Sequence, residues 1–279
     1  MSGADRDADS AGFPWEGRTF NHHDTEYKDD DGSIPAGFAA AMAALRAQGD
    51  KAAETDALAR AVASLAGQRL LIPLVAEAGE TGHTPAGKLV DKSQELSIPT
   101  VEGPDGAPIL PVFSNAAAMS AWNPKSRPVP ASVQRVVFAA LEDDAQRVVI
   151  DGGTDTELVL TAPVLRAMAA ERDWSPAYAR ADVMEAIGLA ATQLQTVAAM
   201  AVVPGDPQSM LRGPEILIVL VTGDEAETRS ELPAFVAALG QAEPVALHAA
   251  SIKVSLYPLG ESGLDVQFPP GSRVAGLRA

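Results

Sequence analysis

The chain has 279 residues, 47% of them hydrophobic, with a formal net charge of -16 and no cysteine. That length fits two domains around buried cores, and the missing thiols exclude disulfides, thiolate nucleophiles, iron–sulfur clusters and thiolate-bound zinc, which fits a reducing cytoplasm. Asp and Glu outnumber Lys and Arg by 9 to 3 over residues 1–33, 16 to 12 over 34–172 and 12 to 6 over 173–279, so no segment offers the clustered cations that a nucleic-acid backbone requires.

Residues 1–33 are rich in Asp, Gly and other polar residues, too poor in apolar side chains to offset chain ordering, and read as a mobile acidic tail. Phe13-Pro14-Trp15 and Phe20 are its apolar exceptions, expected to dock on the body of the protein in preference to a partner. The opening Met1-Ser2-Gly3-Ala4-Asp5-Arg6-Asp7 lacks the basic and apolar regions of a secretory signal. Ile34, Phe38, Met42 and Leu45 recur at four- and three-residue steps, and Leu58, Val62 and Leu65 repeat the pattern beyond Gly49. This predicts two helices in a hairpin.

Leu70 to Val75 reads as a buried strand, with Pro73 suggesting an edge or bulge because it lacks a ladder donor. Leu96–Val101 and Ile109–Phe113 flank Gly103-Pro104-Asp105-Gly106, whose turn chemistry predicts an antiparallel return. Ser114 or Asn115 can cap a helix carrying Met119 and Trp122, and Ser132 one carrying Val133, Val136, Val137 and Leu141. Strands follow at Gln146–Ile150 and Glu157–Leu160, then a helix capped by Thr161. The result is an α/β domain with a mixed five-stranded sheet over residues 34–172.

Ser175-Pro176 opens a second unit: a helix to about Ala190, strands at Thr196–Val203 and Ile216–Val221, a helix with Leu232, Phe235, Val236 and Leu239 on one face, and a strand at Ile252–Leu256. This makes a smaller α+β domain over 173–279, with a loop-like tail from Gly260. The longest weakly polar stretch, Ala186–Val203, is broken by Gly188, Gln193 and Gln195 and falls short of a membrane span.

Several residue groups carry a resemblance: Leu70–Glu77; Asp91-Lys92-Ser93-Gln94-Glu95-Leu96; Leu110-Pro111-Val112-Phe113-Ser114-Asn115 with the helix ending in Ala121-Trp122; Val148-Val149-Ile150-Asp151-Gly152-Gly153; and Glu157–Leu160. Over about residues 35–172 the chain resembles the SseB-like family, named for enhanced serine sensitivity, in the form common among actinobacteria. Residues 173–279 resemble that family's C-terminal domain more loosely, through Gly213-Pro214-Glu215-Ile216-Leu217-Ile218-Val219. The resemblance implies a fold but no catalytic mechanism, cofactor or substrate.

Gly82-His83-Thr84-Pro85-Ala86-Gly87-Lys88 has the spacing of a phosphate-cradling loop, but Leu89 stands where the magnesium-binding Ser or Thr belongs, so it reads as a strand connection. His22-His23-Asp24 with Glu26 reads as an adventitious metal site, and Asp29-Asp30-Asp31-Gly32 fails as a calcium loop because Ile34 and Ala40 occupy its glycine and glutamate positions. The acidic groups Glu142-Asp143-Asp144 and Asp224, Glu225, Glu227 have structural readings at helix ends. His83 and His248 read as surface or packing residues, and there is no Gly-x-Ser-x-Gly elbow. The polar markers Asp91, Lys92 and Ser93, the nearby Trp122 and Asn123, and the turn residues Asp151 and Gly152 are the candidate binding residues.

The expected function is a cytoplasmic, non-catalytic binding or regulatory module without cofactor or metal. Its partner would be a protein or a small metabolite, not a nucleic acid or a membrane. One rival is an enzyme built from dispersed carboxylates and Lys92 near the domain junction. Another is a structural homodimer through the exposed face of the Ile216–Val221 sheet. The first reading rests on titratable side chains lying scattered over solvated surfaces rather than gathered in a cavity.

Overall fold

Apolar residues at helical spacing build the first two helices. In α1 (Ala36–Gln48) the stripe Phe38, Met42 and Leu45 is fully buried, and Gly49 ends the helix at φ 53°. After a 3-10 turn, α2 (Ala57–Ala63) buries Leu58 and Val62. The structure, a computed structural model, describes residues 27–54, 56–77, 82–83, 89–90, 95–142, 147–260, 268 and 271–276. The Phe13-Pro14-Trp15 segment and the His22-His23-Asp24 group lie outside them.

The chain continues through β1 (Arg69–Glu77), β2 (Gly82–His83), β3 (Leu89–Val90), β4 (Glu95–Ser97), β5 (Val101–Glu102), β6 (Pro108–Val112), α3 (Ala116–Trp122), β7 (Arg127–Ser132), α4 (Val133–Glu142), β8 (Arg147–Ile150), β9 (Leu158–Thr161) and α5 (Ala162–Ala169). The mixed α/β class is as expected, but the single five-stranded sheet resolves into two, ordered β4-β1-β7 and β5-β6-β8-β9. They meet where Leu71 and Phe113 exchange backbone hydrogen bonds of 2.7 and 2.9 Å.

β1 lies between β4 and β7, but β4 pairs only with Val75–Glu77, so at Pro73 the ladder is to β7 alone. The partner of Pro73 in β7 is Pro128, so two residues without N–H groups face each other and neither strands a donor. The two prolines in Arg127-Pro128-Val129-Pro130 are also why β7 is invisible to strand propensity. Asn115 is the residue that caps α3, accepting from Ala118 N at 2.8 Å, and Ser132 Oγ accepts from Arg135 N at the start of α4. Thr161 occupies the N-cap of α5 but makes no side-chain cap, and Pro163 supplies the first-turn conformation instead.

Ser175-Pro176 leads into a 3-10 turn and α6 (Ala181–Ala190), followed by β10 (Val197–Pro204), β11 (Ile216–Thr222), α7 (Glu225–Gln241), α8 (Glu243–His248), β12 (Ile252–Pro258) and β13 (Arg273–Gly276). The sheet order is β12-β11-β10-β13, with β11 and β12 parallel. Met200 and Val202 of β10 and Ile216, Ile218 and Leu220 of β11 pack with Val183, Ile187, Phe235 and Leu239 of the helices. Asp224 caps α7, accepting from Glu227 N at 2.9 Å. The segment read as a loop-like tail contains β13, whose few residues become a strand by pairing with β10. The strand proposed for a two-fold contact, β11, lies inside the sheet, with Leu217 and Val219 half-buried on the face away from the helices and Val221 fully buried.

Residues Gly32–Ala279 form one compact unit holding two buried clusters, one centred on α1, α2, α4, α5 and the first sheets, the other on α6, α7 and the last sheet. The link between them is polar. Arg46 of α1 donates through Nε to Asp155 O (3.1 Å), through Nη1 to Gln208 O (3.0 Å) and Oε1 (2.6 Å), and through Nη2 to Glu157 O. Gln208 returns Nε2 to Leu45 O and Gly49 O. Next to it, Ser209 O accepts from Val159 N and Ser209 Oγ donates to Val159 O, both at 2.9 Å, stitching the connection between β10 and β11 onto β9. Arg46→Met should therefore lower stability by about 3 kcal/mol, because four acceptors lose a charged donor at once. Urea denaturation of the variant checks this; a loss within error of zero would show that the link carries no weight.

Candidate functional site

The sequence-derived residues fall in three places. Asp91, Lys92 and Ser93 lie outside the described residues. The phosphate-loop look-alike begins in β2, which pairs antiparallel with β3, so Leu89 is in a strand and not at the start of a helix. Trp122 ends α3, stacks on Phe113 with ring centroids 5.4 Å apart, and is 37% exposed. Asn123 closes the same helix, its Oδ1 accepting from Lys125 N at 3.0 Å. Both serve local structure.

Asp151 lies at the C-terminal end of β8, beside the end of the parallel strand β6, and is fully buried. Its carboxylate accepts from Ser114 N (2.8 Å), Ser114 Oγ and Thr156 Oγ1 (2.8 Å). Burial pushes the carboxyl up, while these bonds and the charge of Arg69 pull it back. Asp151 itself takes φ 51°, Gly153 takes φ 82°, and Thr154 N closes the turn onto Asp151 O. With its oxygens occupied on three sides, Asp151 ties the β8–β9 turn to the start of α3. Gly152 fits within this turn, where a Cβ would sit 3.3 Å from Val149 Cγ1.

A cavity lies elsewhere, along the seam between the two clusters. It has a volume of about 390 Å³, bounded by Leu58 of α2, the β5–β6 turn, β8, β9, the Trp174–Tyr178 segment, the β10–β11 connection and the start of β12. This corrects the expectation of scattered titratable groups, for Asp206 and Glu215 both line it and burial raises both carboxyls. Folding brings them together across the long connection between β10 and β11, which no local spacing signals.

These carboxylates are already engaged. Glu215 Oε1 accepts from Ala177 N (2.8 Å) and Oε2 from Ala250 N (2.7 Å), fastening the segment before α6 and the segment before β12 to β11. Asp206 accepts from Met210 N (2.9 Å) and Leu211 N (2.8 Å), holding a connection in which Ser209 and Leu211 take φ 50° and 55°. That connection closes tightly on itself, since a Cβ on Gly205 would lie 2.3 Å from Pro214 O. Asp105 grips Arg147 through a two-pronged pair at 2.7 and 2.6 Å, with its carboxyl held down to about 2 chiefly by that bond.

Several lining groups remain uncommitted. Among the described residues the indole Nε1 of Trp174 and the hydroxyl of Tyr178 are buried without a hydrogen-bond partner. Arg212 and Lys253, exposed on the lining, make no side-chain hydrogen bond or ion pair among the described residues. The sequence marks Gly213-Pro214-Glu215 as part of the fold pattern and carries no signal for Trp174, Tyr178, Arg212 or Lys253 as site residues. Among the described residues, no group of three or more metal-ligating side chains is placed to hold an ion, and no helix is long and apolar enough to cross a membrane.

Fold and site together define a mixed α/β protein with a donor-lined cavity along an internal seam. Residues 39–167 match the family model for the SseB protein N-terminal domain, from within α1 to within α5, so this segment is similar to that domain. No curated protein and no solved structure matches the chain. Most of the uncommitted donors lie beyond the matched segment: Trp174, Tyr178, Arg212 and Lys253 all follow it.

Two outcomes follow from these carboxylates. With Asp151, Asp206 and Glu215 all raised, the folded chain holds more protons than the unfolded chain between the ordinary carboxylate range and the raised values. Stability then falls as pH rises through that window. Asp105 works below it, its contribution lost only as pH falls toward about 2. His248, lowered by burial, opposes the trend near its own range, one group against three. Melting at constant ionic strength should give a higher Tm at about pH 5 than at about pH 8; a Tm that climbs toward the alkaline end contradicts the assignment. Separately, Glu215→Gln should lower stability by about 1–3 kcal/mol in urea, since an amide oxygen replaces one acceptor and an NH2 group meets the other backbone N–H.

Proposed function

We propose that the whole chain is an SseB-like protein, with residues 173–279 as the C-terminal domain of the actinobacterial form, and that it is a non-catalytic binding module of the cytoplasm whose ligand is a small metabolite. The single observation that carries the binding reading is the cavity of about 390 Å³ in which two buried groups, Trp174 Nε1 and Tyr178 OH, have no hydrogen-bond partner among the described residues. Buried polar groups in folded proteins are nearly always satisfied, and two orphaned donors facing one cavity call for a water, an ion or a ligand there to supply the bond. The volume suits a small molecule rather than a peptide.

Catalysis is the weaker reading of the same cavity. Acid–base work needs a carboxyl free to exchange its proton with a substrate, and those of Asp206 and Glu215 are spent on backbone amides. No histidine lines the site, and the hydroxyl of Ser209 is donated to Val159 O. The cytoplasmic placement is supported by the absence of cysteine.

Trp174 gives a direct readout. In a W15F/W122F background it is the sole tryptophan, and a panel of amino acids, oxo acids, sugar phosphates, nucleosides and polyamines can be titrated against its emission and the Tm. At least one class should change both, with the ligand recovered unconverted by NMR. A panel in which no class changes either signal removes the cavity as a binding site, and steady consumption of a ligand would make the protein an enzyme.

A further inference from the structure

Resting on the cavity as the binding site, we infer that its ligand is a small anion: a carboxylate- or phosphate-bearing molecule with an apolar or planar body. Among the described residues, the side chains left uncommitted around the cavity are the donor Trp174 Nε1, the cations of Arg212 and Lys253, and the hydroxyls of Tyr178 and Thr161, which donate as well as accept, and none of them is an anion. The carboxylates that could have received a cationic ligand are closed off. Asp105 is bound by Arg147, Asp206 by the backbone of its own connection, and Glu215 by two amides on either side. A ligand matching this set must bring acceptors and negative charge.

The placement of the groups fixes an orientation. Arg212 and Lys253 are exposed while Tyr178 is 5% exposed, so the cations stand at the mouth and the neutral donors lie deeper. The anionic group sits between Arg212 and Lys253, and the body of the ligand reaches inward along Leu58, Val159, Val164 and Leu211 toward the indole and the phenol. Asp206 serves this site by shape. Its carboxylate folds the strained residues 209–211 immediately before Arg212 and so sets where the guanidinium points. In a chain of net charge -16, two cations at one cavity mouth that make no ion pair among the described residues give a local attraction for an anion, partly offset at Arg212 by the nearby Asp206 carboxylate.

The test compares probes matched in shape and differing in charge: phenyl phosphate and phenylacetate as anions, phenylacetamide as the neutral counterpart and benzylamine as the cation, each titrated into the full-length W15F/W122F protein. Both anions should bind at least about tenfold more tightly than the amide, and benzylamine should not compete. The double variant R212Q/K253Q should weaken the anions by about tenfold or more while leaving the Tm of the free protein unchanged, because neither side chain holds the fold. Inorganic phosphate tested alone should bind far more weakly than phenyl phosphate, since it leaves the inner donors unfilled. If the amide or benzylamine binds as well as the anions, or the double variant keeps full affinity, the anion assignment is overturned while the cavity reading survives. If no probe of any charge perturbs Trp174 emission, both fall together.

Discussion

The structure depends on one cation whose hydrogen bonds among the described residues all go to neutral oxygens, with carboxylates near but not bonded to it. Arg46 projects from α1 and spends its guanidinium on four neutral oxygens, those of Asp155, Glu157 and the backbone and side chain of Gln208. Burial pulls the guanidinium's pKa down, yet a planar fork that cannot lose its proton under ordinary conditions remains charged and holds every acceptor it meets. Lysine could not replace it, because a point charge does not span oxygens from two separate segments. Through this group the first helix, the β8–β9 turn and the β10–β11 connection are located against one another, and the cavity inherits its walls from that arrangement.

The same logic of polar groups used as fasteners explains why acids gather in a cavity without making an acid–base pair. Each buried carboxylate in this protein accepts hydrogen bonds from backbone N–H groups, hydroxyls or both, and each closes a distance that the chain would otherwise leave open: Asp151 between β6 and β8, Asp206 across its own connection, Glu215 between α6, β11 and β12. Desolvation of a carboxylate is expensive, and several converging donors are what offset it. A sequence carrying many acids is therefore no guide to where acids do chemistry.

What could be read from the sequence follows the range of the forces involved. Helices α1, α2, α4 and α7 were legible because their apolar residues repeat at helical spacing, and the Pro104-Asp105-Gly106 turn because its chemistry is local. The strands β7 and β13 were not, since one is rich in proline and the other exists only through its pairing with β10. The cavity lay furthest out of reach. Its lining joins Leu58 to Lys253, and Tyr178 or Arg212 look ordinary until long-range packing leaves one without a partner and the other beside an opening. Asp151 was singled out correctly as a turn residue, but only the coordinates show its carboxylate filled on three sides.

The two hydrogen bonds between Ser209 and Val159 bear on how the molecule behaves in a crowded solution. β9 is the last strand of its sheet, and Val159 presents both an N–H and a carbonyl to the outside. Left bare, such an edge is a template on which another chain can lay a strand. By taking both groups with a single residue, the connection shields that rim of the sheet, and a protein that lost it would gain a route to self-association through its flank.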